Sequence, residues 1–597
     1  MNRRTKIAAG IVLLISGVEA ASSQQDTLVN GVAVPGDSLY DLVDGLSEEL
    51  LGQASEHEEH PAIDPIGEEH HVEVRGRVLQ RLQPPQGYQN GAYNGSVLKS
   101  YQRILFQYGD ISGGFLATKD PGERELNAFT TANLMARSDG ALSKILLGDF
   151  RVEAGQGIAL WRGYDFAKGS NIVAPVMKQA KGVVASLSSD EAQYFRGAAA
   201  TIITGPITST LFYSNRSLNG TVDSSGAVTS FYSSAYFRND EERLRLGVAR
   251  ETVLGVHTLI GSKGRNRMGL SIAHTRFGRR LVLDEGRRFS GQECFLASID
   301  YTMLLAGARV FGEWAVANGV VGGISGVLLQ PVNEINLIAA ARHYPRRFFS
   351  FRGFGFGERV GTSNENGFYI GAEAHVSRSL KFSAYFDRYD FPEAIGGSKF
   401  GSTGSDLLVQ LESTSIRRFD LTIRYHRTMN DLDEKTATES GLVSGRTVSV
   451  ETQRIRLQGD YRLSAGATLR SRIEGIFWDG EASPAAEKGL LFYSEIVMRI
   501  GAGVWANFRA SCFRTDSYTS RIAAMERDME GVMAVPALYG SGIRWYWLVR
   551  YDVNSHMKLS AKYSDLLRDD VKYIGSGTDK ILTNHDNRFG LQLDLSF

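Results

Sequence analysis

From Phe589 to the end of the chain, apolar and polar residues alternate without a break: Phe589, Leu591, Leu593, Leu595 and Phe597 against Gly590, Gln592, Asp594 and Ser596. Successive side chains of a strand point to opposite faces, so a period of two predicts a strand with one apolar and one polar side. The same texture fills most of the chain after residue 70. FDLTIRYHR sets Phe419, Leu421, Ile423 and Tyr425 against Asp420, Thr422, Arg424 and His426. RIRLQGDY sets Ile455, Leu457 and Tyr461 against Arg454, Arg456 and Gln458. ATLRSRIEGIF opposes Leu469, Ile473 and Phe477 to Arg470, Arg472 and Glu474, and MKLSAKY opposes Met557, Leu559 and Tyr563 to Lys558, Ser560 and Lys562. In GDFRVEAGQGIALW, Phe150, Val152, Ala154, Ile158 and Leu160 share one side, with Asp149, Arg151 and Glu153 on the other.

Asp139-Gly140, Asn219-Gly220, Asn366-Gly367 and Asp479-Gly480 are read as turns between such segments. Roughly two dozen segments of about 9–13 residues result, the length of a tilted membrane-spanning strand. Sandwich strands are usually about 5–6 residues, and no blade-length repeat marks a propeller. No apolar run after the N-terminus reaches the ~18 residues of a spanning helix, which leaves a closed barrel as the spanning architecture. The expected fold is all-β: a large transmembrane antiparallel β-barrel of about 22–24 strands, preceded by a short acidic N-terminal arm containing one helix. Apolar faces would meet lipid and polar faces a wet lumen. Trp478, Trp545, Trp547 and Phe597 lie near strand ends, where interfacial aromatic girdles form.

Composition refines this picture. Gly is frequent (65 of 597 residues) and Pro scarce (13), which suits many strands and tight turns. MNRRTK, the apolar IAAGIVLLISG and Val18-Glu19-Ala20 have the layout of a signal peptide, expected to span residues 1–20 and to direct Sec export. Cys294 and Cys512 are the only cysteines, too few for a disulfide framework. Residues 21–70 hold 12 acidic and no Lys or Arg residues; with the three basic and one acidic residues of 1–20 also removed, 63 basic and 53 acidic residues remain in 71–597. The expected organisation is a signal peptide (1–20), an acidic periplasmic arm (21–70) and a mildly basic barrel (71–597). In the arm, Leu39, Leu42, Val43, Leu46 and Leu50 recur at helical spacing. Residues 162–193 form the longest interruption in the first half. Their apolar patches, Ile172-Val173-Ala174 and Val183-Val184-Ala185, suit either packing into the lumen or an external loop.

Lipid-facing charges cost ~2–4 kcal/mol each at mid-depth. Inward orientation is therefore expected for Arg151, Arg424, Arg454, Arg456, Arg470, Arg472, Arg550, Lys558, Lys562 and Arg588. Glu474 and Asp594 join them, so the wall is mixed but leans basic, which favours anions; paired charges acting as structural filler are the alternative. His57, His60, His70 and His71 lie among carboxylates and offer a weak metal site. HEEH lacks the two-histidine helical spacing of HExxH, and Pro61 and Pro65 break the segment. A solvated acidic linker is the stronger reading. Scattered histidines with no nucleophile motif argue against an enzyme, and no cofactor is expected. Nor is nucleic acid, because an arm with 12 acids repels phosphate.

LLGDFRVEAGQGIALWRGYDFAKG, with YFRGAAATIITGPITSTLFYSNR and YGDISGGFLATKDPGE, resembles a family of outer-membrane β-barrel proteins of Bacteroidota and Chlorobi-type bacteria. Their barrels often follow helix-hairpin-helix repeats, which are not visible here. The resemblance implies a Gram-negative outer membrane, with its lipid and the barrel-assembly machinery as partners. Phe589, Leu591, Leu593, Leu595 and Phe597 look like the sorting signal which that machinery reads. These readings together lead to a channel for small polar or anionic solutes, plugged in part by the acidic arm. The alternative is a non-conducting anchor that presents the arm to a partner.

Overall fold

The computed structural model describes residues 70–597 apart from 162–167, 233–235, 262–265, 360, 394–400, 438–442 and 481–484, together with two short paired strands, Leu28–Val29 and Val32–Ala33. The predicted signal peptide and arm helix, and His57 and His60, lie outside the described residues. Twenty-four long strands, all paired antiparallel, close into one barrel. In chain order they are β1 (His70–Arg81), β2 (Lys99–Tyr108), β3 (Ile111–Lys119), β4 (Phe129–Arg137), β5 (Leu142–Glu153), β6 (Phe195–Thr204), β7 (Ile207–Leu218) and β8 (Ala249–Gly261). There follow β9 (Arg267–Leu283), β10 (Phe289–Leu305), β11 (Ala308–Ala317), β12 (Val320–Val332), β13 (Ile335–Tyr344), β14 (Glu365–Ser377), β15 (Leu380–Phe391) and β16 (Ser402–Ile416). The last are β17 (Phe419–Ala437), β18 (Val443–Ser464), β19 (Ala467–Gly480), β20 (Glu487–Gly501), β21 (Val504–Thr515), β22 (Ser541–Asn554), β23 (Met557–Arg568) and β24 (His585–Ser596). β1 pairs with β24, Val74 opposite Leu595 and Val78 opposite Leu591, so the sheet has no edge.

The alternation read from the sequence becomes the two faces of the wall. On β9, Met268, Leu270 and Ile272 are exposed while Gly269, Ser271 and Ala273, alternating with them, are buried. Large exposed apolar residues recur in this way around the ring, the pattern of a lipid-facing band about 25 Å tall. No helix among the described residues is long and apolar enough to cross a membrane; the crossing is made by strands. Connections alternate in length. At the end where β1 starts and β24 finishes they are short, such as 109–110, 205–206, 306–307 and 417–418. At the opposite end most are long, including 154–194, 219–248, 345–364 and 516–540. Membrane barrels place short turns on the periplasmic side and long loops outside.

Turn chemistry corrects part of the sequence reading. Asn366-Gly367 lies inside β14, not in a turn. A Cβ on Gly367 would sit 2.2 Å from the Arg342 guanidinium, so the glycine makes room for a buried cation. Asp479-Gly480 closes β19 and Asn219-Gly220 opens a long loop. Tight turns fall instead at Ala306-Gly307 and Asn318-Gly319, where both residues have positive φ (50° and 83°; 49° and 82°), as a two-residue hairpin of type I′ requires. Cys294 and Cys512 are unbridged.

Candidate functional site

The lumen is largely filled by loops from the long-loop end. Ile158, Leu160, Ile172, Val176 and Met177 of 154–194, with Phe348 and Phe356 of 345–364, form one apolar cluster with the wall residues Phe150, Phe195, Phe212, Phe311, Tyr344 and Tyr369. At ~1.5–3 kcal/mol for each large side chain buried, this is a core and not a loose contact. The two loops also join each other: Trp161 N donates to Arg352 O at 2.8 Å and Phe354 N to Gly157 O at 2.7 Å.

Charged side chains of the wall fasten these loops. Glu313 on β11 accepts backbone N–H bonds from Gln156 (2.8 Å), Ile158 (2.9 Å) and Ala159 (3.0 Å). Arg352 pairs with Glu251 of β8. Lys168 is clamped by Glu358, by Asp387 (3.0 Å) on β15 and by Asp406 (2.8 Å) on β16. Arg342 of β13 bridges Glu365 (2.6 Å) and Asp387 (2.8 Å), and His426 Nε2 lies 2.7 Å from Asp406. A third segment, 516–540, packs against the last strands. Arg509 donates to Met525 O (2.6 Å), Glu526 pairs with Arg544 (2.5 Å), Lys562 reaches Asp528 (2.6 Å), and Glu530 meets Arg75.

Nine of the ten basic residues expected to face the lumen lie on the inward side of their strands. Arg424, Arg456, Arg472 and Lys562 are buried there, Arg454, Arg470, Arg550 and Arg588 are partly covered, and Lys558 is exposed toward the short-turn end. Arg151 is the correction. In β5 the inward side carries Leu146 (0% exposed), Phe150 (0%) and Val152 (1%), while Ile145 and Leu147 face out. Arg151 therefore lies on the outward side near the loop end. The reason is the plug: where loops fill the lumen, the wall beneath them is apolar, so the rule that apolar means lipid-facing reverses.

Elsewhere the inner wall is a ladder of charges. Asp460–Arg470 (2.7 Å) and Arg456–Glu474 (2.9 Å) pair across β18 and β19, and Glu495–Arg509 (3.2 Å) across β20 and β21. Between β17 and β18 the register instead sets Arg424 directly opposite Arg456, and His426 opposite Arg454. Arg470 and Asp460 keep about a fifth of their side chains accessible (21% and 20%), and Arg462, below them, keeps 57%. The lumen is thus wetter toward the short-turn end.

Of the weak metal candidates, His70 stacks on Tyr108 (4.2 Å between centroids) and His71 lies 3.1 Å from Glu73. No cluster of three or more His, Cys, Asp or Glu side chains among the described residues has metal-binding geometry. Phe589, Leu591 and Phe597 of the terminal pattern are exposed on the outer wall, Leu593 is partly covered and Leu595 is buried. Sequence reading missed Glu313, Asp387, Asp406 and the loops 345–364 and 516–540. The available signal was the single carboxylate inside an otherwise apolar inward run, as in VFGEWAVA.

No family model matches the chain, and no curated protein matches it. Among solved structures, a ferric enterobactin receptor of Pseudomonas aeruginosa is similar at 9% identity and a TM-score of 0.43, over 89% of this chain and 81% of that one. The copper transporter OprC is similar at 9% identity and 0.43, over 89% and 80%. OmpT of Vibrio cholerae, with one loop deleted, is similar at 13% identity and 0.27, over 58% and 99%. The likeness is one of barrel architecture and goes no further. The chain is a large β-barrel of outer-membrane type whose lumen is filled by its own loops.

Proposed function

We propose that the protein is an outer-membrane channel for small anionic solutes, closed in this state by its in-folded loops. One observation carries the reading: on the inner wall Arg424 stands directly opposite Arg456, and Arg456 and Arg472 share the carboxylate of Glu474. Like charges directly opposite one another on a sheet are destabilising. A wall whose charges served only as filler would match acid to base one for one, as Asp460–Arg470 does, whereas Arg456 and Arg472 draw on one carboxylate. Such a basic excess on the inner wall, next to the wetter short-turn end, focuses positive potential and draws anions. No catalytic role enters this reading. The terminal strand would serve insertion by the barrel-assembly machinery.

The filled lumen favours a second reading, a non-conducting anchor. Planar-bilayer recording separates the two. The intact protein is expected to conduct little. A variant with residues 346–363 replaced by a short Gly/Ser turn should conduct with anion preference in its reversal potential, and adding R454Q, R456Q and R472Q should abolish that preference. A conducting, cation-selective variant would refute the anion reading, and silence of the loop variant, shown to be folded by heat-modifiable migration, would support the anchor.

A further inference from the structure

We propose that the outer wall at β8 and β9 is a binding site for the phosphates of an anionic membrane lipid in the leaflet on the long-loop side. Strand register draws the boundary of the apolar band in this sector. Tyr213, Leu254 and Phe295 are exposed in one cross-strand row, with His274 between Leu254 and Phe295. The next row toward the long loops is polar: Asn215 opposite Thr252, Thr252 opposite Arg276, Arg276 opposite Glu293. Above it stand Arg250, Arg279 and Arg280, all exposed. Four arginines therefore stand on or above the line where hydrocarbon gives way to headgroups.

Their protein partners are weak. Arg276 lies 3.6 Å from Glu293, with 72% and 57% of the side chains exposed, a geometry worth little in water. Arg250 donates to Asn215 (2.6 Å) and Arg280 to Ser290 (3.1 Å), both neutral. Among the described residues no carboxylate pairs with Arg250, Arg279 or Arg280. Guanidinium groups bind phosphate through paired N–H donors, and basic clusters at a bilayer surface select anionic headgroups. The side chains of Arg250 and Arg276 alternate with buried inward residues and so lie on the outward side, where a transported solute does not meet them. A lipid matches both parts, acyl chains on Leu254 and Phe295 and phosphate on the arginines.

The test is native mass spectrometry of the delipidated full-length protein in neutral detergent, titrated with a bisphosphorylated diglucosamine lipid, with phosphatidylcholine and with inorganic phosphate. The wild type should retain the phosphorylated lipid in preference to phosphatidylcholine. R250Q/R276Q/R279Q/R280Q should bind it about a thousandfold more weakly, R276Q alone less so, and R388Q, elsewhere on the outer wall, should not differ from wild type. Heat-modifiable migration verifies that each variant is a closed barrel. Equal retention by wild type and quadruple variant, equal retention of the two lipids, or displacement by inorganic phosphate at matched concentration would each overturn the proposal.

Discussion

At the scale of the residue, Glu313 shows how a membrane barrel can hold a loop in its lumen. It stands opposite Asp300 in the β10–β11 register, a like-charged pair that is unfavourable by itself. What offsets it is the set of three buried backbone N–H groups from Gln156, Ile158 and Ala159, donors that need an acceptor within the plug. A Glu313→Leu substitution leaves all three without an acceptor, at ~1–3 kcal/mol for each buried group left unmade. Glu313→Gln keeps one oxygen, the site of two of the three bonds when its carbonyl takes the Oε2 position. Amide hydrogen exchange of residues 154–161 should therefore speed up strongly in Glu313→Leu and by less in Glu313→Gln, while exchange in β1 and β24 stays at the wild-type rate. Equal exchange in all three proteins would mean that the apolar packing alone holds the loop.

At the scale of the element, two outer segments, 120–128 and 186–194, are coupled through buried acids. Burial, with neighbouring carboxylates adding to it, raises Glu123 to about 7 and Glu191 to about 8. The packed arrangement then holds more protons than an opened one between the ordinary glutamate range and those values. Packing is strongest in acid and weakens as pH rises through about 7 to 8. Limited proteolysis of these segments should accelerate between pH 6 and pH 9, and E123Q/E191Q should flatten that dependence; a wild-type rate that does not vary with pH would dismiss the coupling. Element identity was the most legible feature of the chain. FDLTIRYHR and RIRLQGDY became β17 and β18 with Arg424, Arg454 and Arg456 inward, because one strand face there meets lipid and the other the lumen. The face of Phe150 and Val152 was misread because a strand records only that its two sides differ, not what covers the apolar one. The lumen plug was barely legible for a related reason. Its anchors, Glu313 and Lys168, act on partners 154 to 238 residues away in the chain (Glu313 with Ala159, Lys168 with Asp406), and no local pattern reports such distances.

At the scale of the whole molecule, charge is divided between a barrel wall that leans basic and a preceding segment of 12 acids in residues 21–70 with no Lys or Arg. β1 begins at His70, at the short-turn end, so that segment joins the barrel at the wetter mouth lined by Arg462, Arg470 and Lys558. The loops fill the lumen from the opposite end. An acidic arm that enters the basic mouth would then be a second barrier in series with the loops, and its effect would be hidden while they stay folded in. Deleting residues 21–69 in the otherwise intact protein is accordingly expected to leave bilayer conductance unchanged. The same deletion in the variant lacking 346–363 should raise conductance, most at low ionic strength, because screening at 1 M salt, where the Debye length is about 3 Å, weakens attraction between arm and wall. If the deletion changes the loop-shortened channel equally at low and high salt, the arm obstructs by bulk alone; if it changes nothing, the arm does not enter the lumen and the loops are its sole closure.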